Sequence, residues 1–158
     1  MPERGPRLDE QLCFALYAAS NSIVRAYRPL LAELGLTYPQ YLVMMVLWER
    51  DGVAVQQIAE RLELPAHGVT PVLNRLSGAG WVERRPDPDD GRVVRVHLTD
   101  SGARLEHDAG IAQAAVVCRT GLDRDALDGL REQLRELSRV TDATPAPAVQ
   151  FRSRRRAS

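Results

Sequence analysis

The chain has 158 residues, of which 44% are hydrophobic and 27% charged, and its formal net charge is zero. This is enough apolar material for one compact domain with its own core, the composition excludes collagen-like and disordered chains, and the balanced charge gives no global argument for nucleic acid. No apolar run approaches the roughly 20 residues of a membrane span and the N-terminus lacks an apolar signal core, so we expect a cytoplasmic protein with no membrane partner.

The first predicted helix begins near Leu8, with Asp9 as its N-cap, and runs to about Ala32. Apolar residues recur along it at helical spacing, and a second stripe adjoins the first. A helix with two such faces is buried on more than one side, which indicates a partner subunit in so small a chain. The two stripes comprise residues 12, 16, 19, 23, 26 and 30, and Cys13, Tyr17, Ser20, Val24 and Tyr27.

A second, very apolar helix is predicted from Tyr38 to Arg50, with Thr37 as its cap and Pro39 in its first turn. We expect this to be the central core helix. Two shorter helices follow, over about 55–62 and 66–79.

A predicted hairpin comes next, with strands over 81–85 and 92–98 joined by a turn rich in Pro, Asp and Gly. Helix, turn, helix and hairpin in this order are typical of winged helix-turn-helix DNA-binding domains, although such spacings also occur in ordinary small folds. The candidate DNA contacts are the outward residues of the second short helix and one strand residue: His67, Gly68, Thr70, Pro71, Asn74, Arg75 and Arg84.

Thr99 is predicted to cap a helix over about 100–120, which Gly121 ends, and Asp123 begins a last helix that runs to about Val140. Residues 141–158 turn to Thr, Ala, Pro, Ser and Arg, and we expect them to form a disordered tail. The predicted fold is therefore mainly α, with a small β-hairpin wing.

The segment D-D-G-R-V-V-R-V-H-L-T resembles the wing of the MarR family of bacterial regulators. By that resemblance Asp90 orients Arg92, and Arg92 enters the DNA minor groove. The likeness covers roughly residues 8–140 and implies a homodimer on a DNA operator, with 8–33 and 100–140 for dimerisation and 38–98 as the DNA-binding lobe. The chain lacks the family's usual side-chain cap at the recognition helix, where it has Pro65-Ala66-His67-Gly68.

Cys13 lies near a helix start, where unpaired amide donors and the helix dipole favour a thiolate, the form that attacks peroxides. Tyr17 lies one turn on, Tyr27 on the same stripe, and Tyr38 at the start of the next helix; phenol hydroxyls can hydrogen-bond a thiolate. The alternative is that Cys13 is a small buried hydrophobe.

The segment LDEQLCFALYAASNSIVRAYRPLLAELGLTYPQYLVMMVLWE resembles the organic hydroperoxide-sensing branch of the same family. That resemblance implies that Cys13 reacts with the peroxide, that Tyr27 and Tyr38 of the partner subunit hold it, and that Tyr17 lies near. The branch contains a two-cysteine type whose second cysteine, late in the fifth helix, matches Cys118. Cys118 is then the resolving thiol; the alternative is an inert core residue.

The expected function is a redox-switched repressor that binds a palindromic operator when reduced. It is released when an organic hydroperoxide oxidises Cys13, which is then linked to Cys118 of the partner subunit. One alternative is a repressor released by a small aromatic ligand without cysteine chemistry. Another is a thiol peroxidase, which the lack of Cys-x-x-Cys disfavours; we expect no enzyme activity, metal or cofactor.

Overall fold

The computed structural model describes residues 5–145. Within them lie six α-helices, a three-stranded antiparallel sheet and a 3-10 turn at Leu8–Glu10. The chain divides into two compact units between Thr120 and Gly121. The elements are α1 (Leu12–Glu33), α2 (Tyr38–Glu49), β1 (Val53–Ala54), α3 (Val55–Arg61), α4 (Ala66–Gly78), β2 (Val82–Pro86), β3 (Val94–Leu98), α5 (Asp100–Arg119) and α6 (Arg124–Ala143).

Helix α2 is the centre of the first unit, as predicted. Val43, Met44 and Leu47 are almost completely buried, because α2 is apolar all round and packs against α1, α3, α4 and α5. In the described part of the chain no single helix is long and apolar enough to cross a membrane. Helices α1 and α2 are long and apolar enough only when counted together, and they are bent by 76° relative to each other.

Most helix ends lie where the sequence predicts them. Thr37 forms a capping box with Gln40, and the Thr99 hydroxyl accepts a hydrogen bond from the Gly102 amide at 3.0 Å. Asp123 caps α6 through the Ala126 amide at 2.8 Å. These side chains satisfy amide groups that the first turn of a helix leaves without backbone partners.

The predicted N-cap at Asp9 is wrong. Leu8–Glu10 form a separate 3-10 turn, and Gln11 has an extended backbone before α1 begins at Leu12. The extended Gln11 interrupts the helical hydrogen bonds, so Asp9 caps no α-helix. Cys13 is consequently the second residue of α1.

Two further features differ from the prediction, one additional strand and one helix end. The sheet contains a third strand, because β1 pairs with β3 through Val53 opposite Val96 and Ala54 opposite Arg95. Two residues that run directly into a helix carry no strand pattern of their own. Helix α6 continues to Ala143, so the predicted tail does not begin at 141, and residues 146–158 of that tail lie outside the described residues.

Helix α5 packs against α2 and the segment before β2 through a close backbone contact at Gly102. The Trp48 indole N–H donates to the Gly102 carbonyl at 3.0 Å. A Cβ atom at Gly102 would lie 2.0 Å from the carbonyl oxygen of Trp81, so only glycine allows this approach.

The second unit contains α6, which is amphipathic. Three arginines pair with acidic residues three positions earlier, as in Arg139 with Glu136. Leu130, Leu134 and Val140 are exposed. A stripe of this kind requires an apolar partner to cover it.

Candidate DNA-binding surface and cysteine site

Helix α4 separates its core residues from its candidate DNA contacts. Val69, Leu73 and Leu76 are fully buried, whereas the predicted contacts lie on the exposed side. The exposed set is His67, Gly68, Thr70, Pro71, Asn74 and Arg75. The 3.6-residue period of the helix produces this division, since the buried positions recur every three or four residues.

The start of α4 has no side-chain cap, in agreement with the sequence. Pro65 is the N-cap residue, and its side chain accepts no hydrogen bond. The Gly68 amide donates to the Pro65 carbonyl at 2.9 Å, and the two amides before it, of Ala66 and His67, face the helix start, where an acceptor such as a phosphate oxygen can approach.

Two of the predicted DNA contacts bond to each other. The Arg84 guanidinium on β2 donates to Asn74 Oδ1 on α4 at 2.6 Å, and both side chains are exposed. This bond joins the recognition helix to the wing, so either residue can affect DNA binding through the position of the other.

The tip of the wing presents Arg92 to solvent. Its side chain is 94% exposed, and Asp90 Oδ1 accepts from both its backbone amide at 3.1 Å and its Nε at 3.3 Å. The predicted contact between Asp90 and Arg92 is therefore present, while the minor-groove role of Arg92 stays a prediction.

An open groove of about 690 Å³ runs between the helix-turn-helix and the wing. Gln56 of α3, Thr70 of α4 and three wing arginines, Arg84, Arg92 and Arg95, line it. Hydrogen-bond donors and positive charge along a concave surface suit a phosphate backbone.

The sequence analysis missed two wing residues, Asp87 and Arg95. Asp87 is only 8% exposed, and its carboxylate accepts from the Arg95 Nε and from the amides of Asp89 and Asp90. The Arg95 bond, followed by the two amide bonds, holds the pKa of the Asp87 carboxyl below its ordinary value. An Asp at the start of a Pro- and Gly-rich turn often accepts hydrogen bonds from the turn amides, so the sequence contained a local signal for these two bonds. It contained no local signal for the bond from Arg95.

The two cysteines are both exposed. Cys13 is in the first turn of α1, with Tyr17 one turn further on and 66% exposed. The alternative that Cys13 is a buried hydrophobe is wrong for the single chain. Cys118 lies one residue before the end of α5, and its exposure likewise contradicts an inert core position in this chain.

Tyr27 and Tyr38 lie together in a cluster that also contains Tyr41 and Trp48. The ring centroid of Tyr27 lies 5.4 Å from the ring centroids of both Tyr38 and Tyr41. The ring centroids of Tyr41 and Trp48 are 6.3 Å apart. Tyr41 was not among the residues predicted from the sequence, yet its ring packs against that of Tyr27 at an interplanar angle of 35°. The spacing of Tyr38 and Tyr41, three residues apart on one helix, was the available signal.

Burial raises the pKa of all three clustered tyrosines above the ordinary value. Nearby Tyr41 and Tyr38 raise the pKa of Tyr27 further. Tyrosine hydroxyls are ordinarily protonated at neutral pH, and the raised pKa values keep these three protonated, as hydrogen-bond donors, at more alkaline pH as well.

Within one chain, Cys13 cannot reach this cluster along its own helix. Cys13 and Tyr27 are fourteen residues apart on the continuous helix α1, a rise of about 21 Å. The structure brings Tyr27 and Tyr38 together, and it leaves Cys13 and Tyr17 at the far end of α1.

Known proteins resemble this chain over most of its length. The MarR family model matches residues 36–94. The HTH-type transcriptional regulator TtmR of Methylorubrum extorquens (strain PA1) is 44% identical over 146 residues, which cover 90% of this chain and 75% of TtmR. The organic hydroperoxide resistance transcriptional regulator of Bacillus subtilis (strain 168) is 41% identical over 103 residues, which cover 65% of this chain and 70% of that regulator.

The fold is similar to that of AbfR of Staphylococcus epidermidis. The structure of reduced AbfR bound to DNA superposes with a TM-score of 0.73 at 31% identity, covering 86% of this chain and 93% of AbfR. The relatives are transcriptional regulators rather than enzymes, and the exposed recognition helix and wing are the DNA-binding features of such proteins. The chain therefore belongs to the MarR family of winged helix-turn-helix transcriptional regulators.

Proposed function

We propose that this protein is a homodimeric repressor that binds a palindromic operator while Cys13 is reduced and leaves it when an organic hydroperoxide oxidises Cys13. The observation that carries the proposal is the exposed Cys13 in the first turn of α1. Tyr27, the member of the tyrosine cluster on the same helix, lies about 21 Å further along it. The relative from Bacillus subtilis, named for organic hydroperoxide resistance, supports the choice of oxidant.

A second copy of the chain accounts for the exposed apolar surface. MarR-family regulators bind DNA as dimers. Leu12 and Tyr17 of α1 and Ile111 of α5 are more than half exposed, although they are large and apolar or aromatic. A partner that covers these residues brings Cys13 to Tyr27 and Tyr38 of the partner subunit, where two protonated hydroxyls stabilise the thiolate.

The proposed chemistry is a two-electron oxidation. The Cys13 thiolate attacks the terminal oxygen of the hydroperoxide, the O–O bond breaks, and the alkoxide leaves as an alcohol after taking a proton. Cys13 becomes a sulfenic acid. The Cys118 thiolate of the partner subunit then attacks this sulfur and displaces hydroxide, which leaves as water, so that a disulfide links the subunits. A solved structure of disulfide-formed AbfR, a protein of this fold, supports the disulfide step.

DNA binding is proposed to use α4 and the wing together. The outer side of α4 enters the major groove with His67, Thr70 and Asn74, and Arg92 enters the adjacent minor groove. An intersubunit disulfide changes the spacing of the two recognition helices, and a palindrome with half-sites one turn apart does not tolerate that change.

The test compares wild type with Cys13→Ser on a palindromic duplex selected from a random pool by the reduced protein. Affinity is measured before and after one equivalent of cumene hydroperoxide. Wild type is expected to release the duplex after treatment, whereas Cys13→Ser binds it equally well before and after. Release of the variant by peroxide in the same way as wild type would show that Cys13 is not the sensor.

A groove of about 280 Å³ between α2 and α5 favours the second candidate, a repressor released by a small aromatic ligand. Tyr41, Met45 and Trp48 provide an apolar wall, and Glu106 lies at the same groove. Intact mass spectrometry distinguishes the two functions, because the redox proposal requires Cys13 to gain an oxygen atom or a disulfide under the conditions that release DNA.

A further inference from the structure

We propose that Asp87 and Arg95 are positioning residues for DNA binding, which hold the wing so that Arg92 meets the duplex already ordered. The inference goes beyond the redox switch and rests on the proposed contact of Arg92 with DNA. It depends on a continuous series of hydrogen bonds from the turn before β1 to the tip of the wing.

The first part of the series attaches the wing to the body of the protein. Arg95 lies on β3, opposite Ala54 of β1 on one side and Arg85 of β2 on the other. Its NH1 donates to the Gly52 carbonyl at 2.8 Å, while its Nε donates to the Asp87 carboxylate. One guanidinium thus connects the backbone before β1 to the turn that follows β2.

The second part orders the turn at the tip. Asp87 Oδ1 accepts from the amides of Asp89 at 2.8 Å and Asp90 at 3.1 Å, and the Asp87 amide donates to the Val93 carbonyl at 2.8 Å. The carboxylate therefore accepts hydrogen bonds from the turn with one oxygen and from Arg95 with the other. Asp90, whose amide donates to Asp87, in turn accepts hydrogen bonds from the amide and the Nε of Arg92 through its own carboxylate.

Burial distinguishes Asp87 from the other acids of the wing tip. Asp89 and Asp90 are exposed, whereas Asp87 is 8% exposed. A carboxylate that is removed from water requires a charged partner and several hydrogen bonds, and Asp87 has both. Because the bonds already order the loop in the free protein, binding DNA loses less conformational entropy in the wing.

The sign of the effect separates this role from simple electrostatics. Removing a negative charge near DNA phosphates strengthens binding if the charge acts only at a distance. Asp87→Asn removes one negative charge and also the strong bond to Arg95. The positioning role predicts weaker binding, against the electrostatic trend. Asp89→Asn is the matched control, since it makes the same charge change at an exposed neighbour.

A second variant leaves the net charge unchanged. Arg95→Lys keeps the positive charge but cannot donate to Asp87 and Gly52 from one planar group. We expect Asp87→Asn and Arg95→Lys each to weaken affinity for the selected operator by about tenfold, an effect typical of residues coupled in one network. Asp89→Asn is expected to bind as wild type or more tightly. Thermal unfolding of each variant checks that the domain remains folded.

The decisive experiment introduces Asp87→Asn and Arg95→Lys, each separately, into the Arg92→Ala variant. If Asp87 and Arg95 act through Arg92, Asp87→Asn adds little to the loss already caused by Arg92→Ala, whereas a general structural role adds its full effect. Additive losses, or unchanged binding by Arg95→Lys, overturn the inference. Wild-type affinity of Arg92→Ala alone overturns instead the proposed wing contact, so the two failures are distinguishable.

Discussion

Single residues determine which polar groups are available to a ligand. Tyr27, Tyr38 and Tyr41 lie within a cluster whose burial keeps their hydroxyls protonated, and Arg92 extends almost completely into solvent. The first arrangement suits donation of hydrogen bonds to an anionic sulfur, and the second suits insertion into DNA.

The tyrosine cluster predicts an unusual alkaline titration. The folded-state pKa values of Tyr27, Tyr38 and Tyr41 are raised, so their contribution to stability is complete below the ordinary pKa of 10.0 and is lost as pH rises through the folded values. Tyrosinate absorbance of the native protein is expected to show Tyr27, Tyr38 and Tyr41 ionising above that value. Tyr27→Phe removes one of these late steps, and ionisation of Tyr27, Tyr38 and Tyr41 at the ordinary value in folded protein would contradict the prediction.

Arg92→Ala is expected to weaken operator binding by about 1–3 kcal/mol, the usual effect of losing one groove contact. The physical reason is the exposure of its guanidinium at the wing tip, held by Asp90. Titration of the selected duplex at a stated salt concentration measures it. Arg131→Ala on α6 serves as the charge-matched control, and equal affinities of the Arg92 variant and wild type refute the contact.

Among the secondary-structure elements, the contact between α5 and the DNA-binding part of the chain depends most on one small residue. Gly102 accepts from Trp48 and lies against the Trp81 carbonyl, with no space for a Cβ atom. This contact attaches α5 to the winged domain, and the proposed switch requires that a movement at Cys118 reaches that domain through α5.

Gly102→Ala is therefore expected to lower the free energy of unfolding by about 1–3 kcal/mol, because the added methyl group forces the backbone apart. Gly110→Ala is the matched control on the same helix, where a Cβ atom meets nothing within 4 Å. That substitution stabilises by up to about 1 kcal/mol, since alanine favours helix. Chemical denaturation measures both, and equal stabilities of the two variants would show that the close approach at Gly102 is not important.

The whole molecule is expected to work as a pair of chains. The exposed apolar residues of α1 and α5, and the uncovered stripe of α6 in the second unit, each require a partner surface. Proteins of this family act as dimers, and the proposed switch depends on that association because Cys13 and the tyrosine cluster of its own chain are far apart.

Mild peroxide treatment is expected to link two chains covalently through Cys13 and Cys118 of the partner subunit. A disulfide needs Cα atoms within about 7 Å, so its formation also reports the approach of α1 to the partner's α5. Non-reducing electrophoresis should show a covalent dimer for wild type, and single chains for both Cys118→Ser and Cys13→Ser. Wild type that runs as single chains while DNA is released indicates a sulfenic acid capped by a small thiol instead.

Local patterns in the sequence were sufficient for the order of the helices, the winged hairpin and the outer side of α4. Helical periodicity placed the residues His67, Thr70 and Asn74 opposite the buried Val69 and Leu73, and capping residues such as Thr37 marked the ends of helices. These features depend on residues within about one turn of each other, so a single stretch of sequence contains all the necessary information.

Tertiary structure alone decided the contacts between distant residues. The pairing of β1 with β3 brings Gly52 beside Arg95, and the turn of the wing brings Asp87 to the same guanidinium. The ring contact of Tyr27 with Tyr41 likewise depends on how α1 packs against α2. Such contacts follow from the register of strands and the packing of helices, and no local periodicity encodes them, because each partner alone has the pattern of an ordinary strand, turn or helix residue.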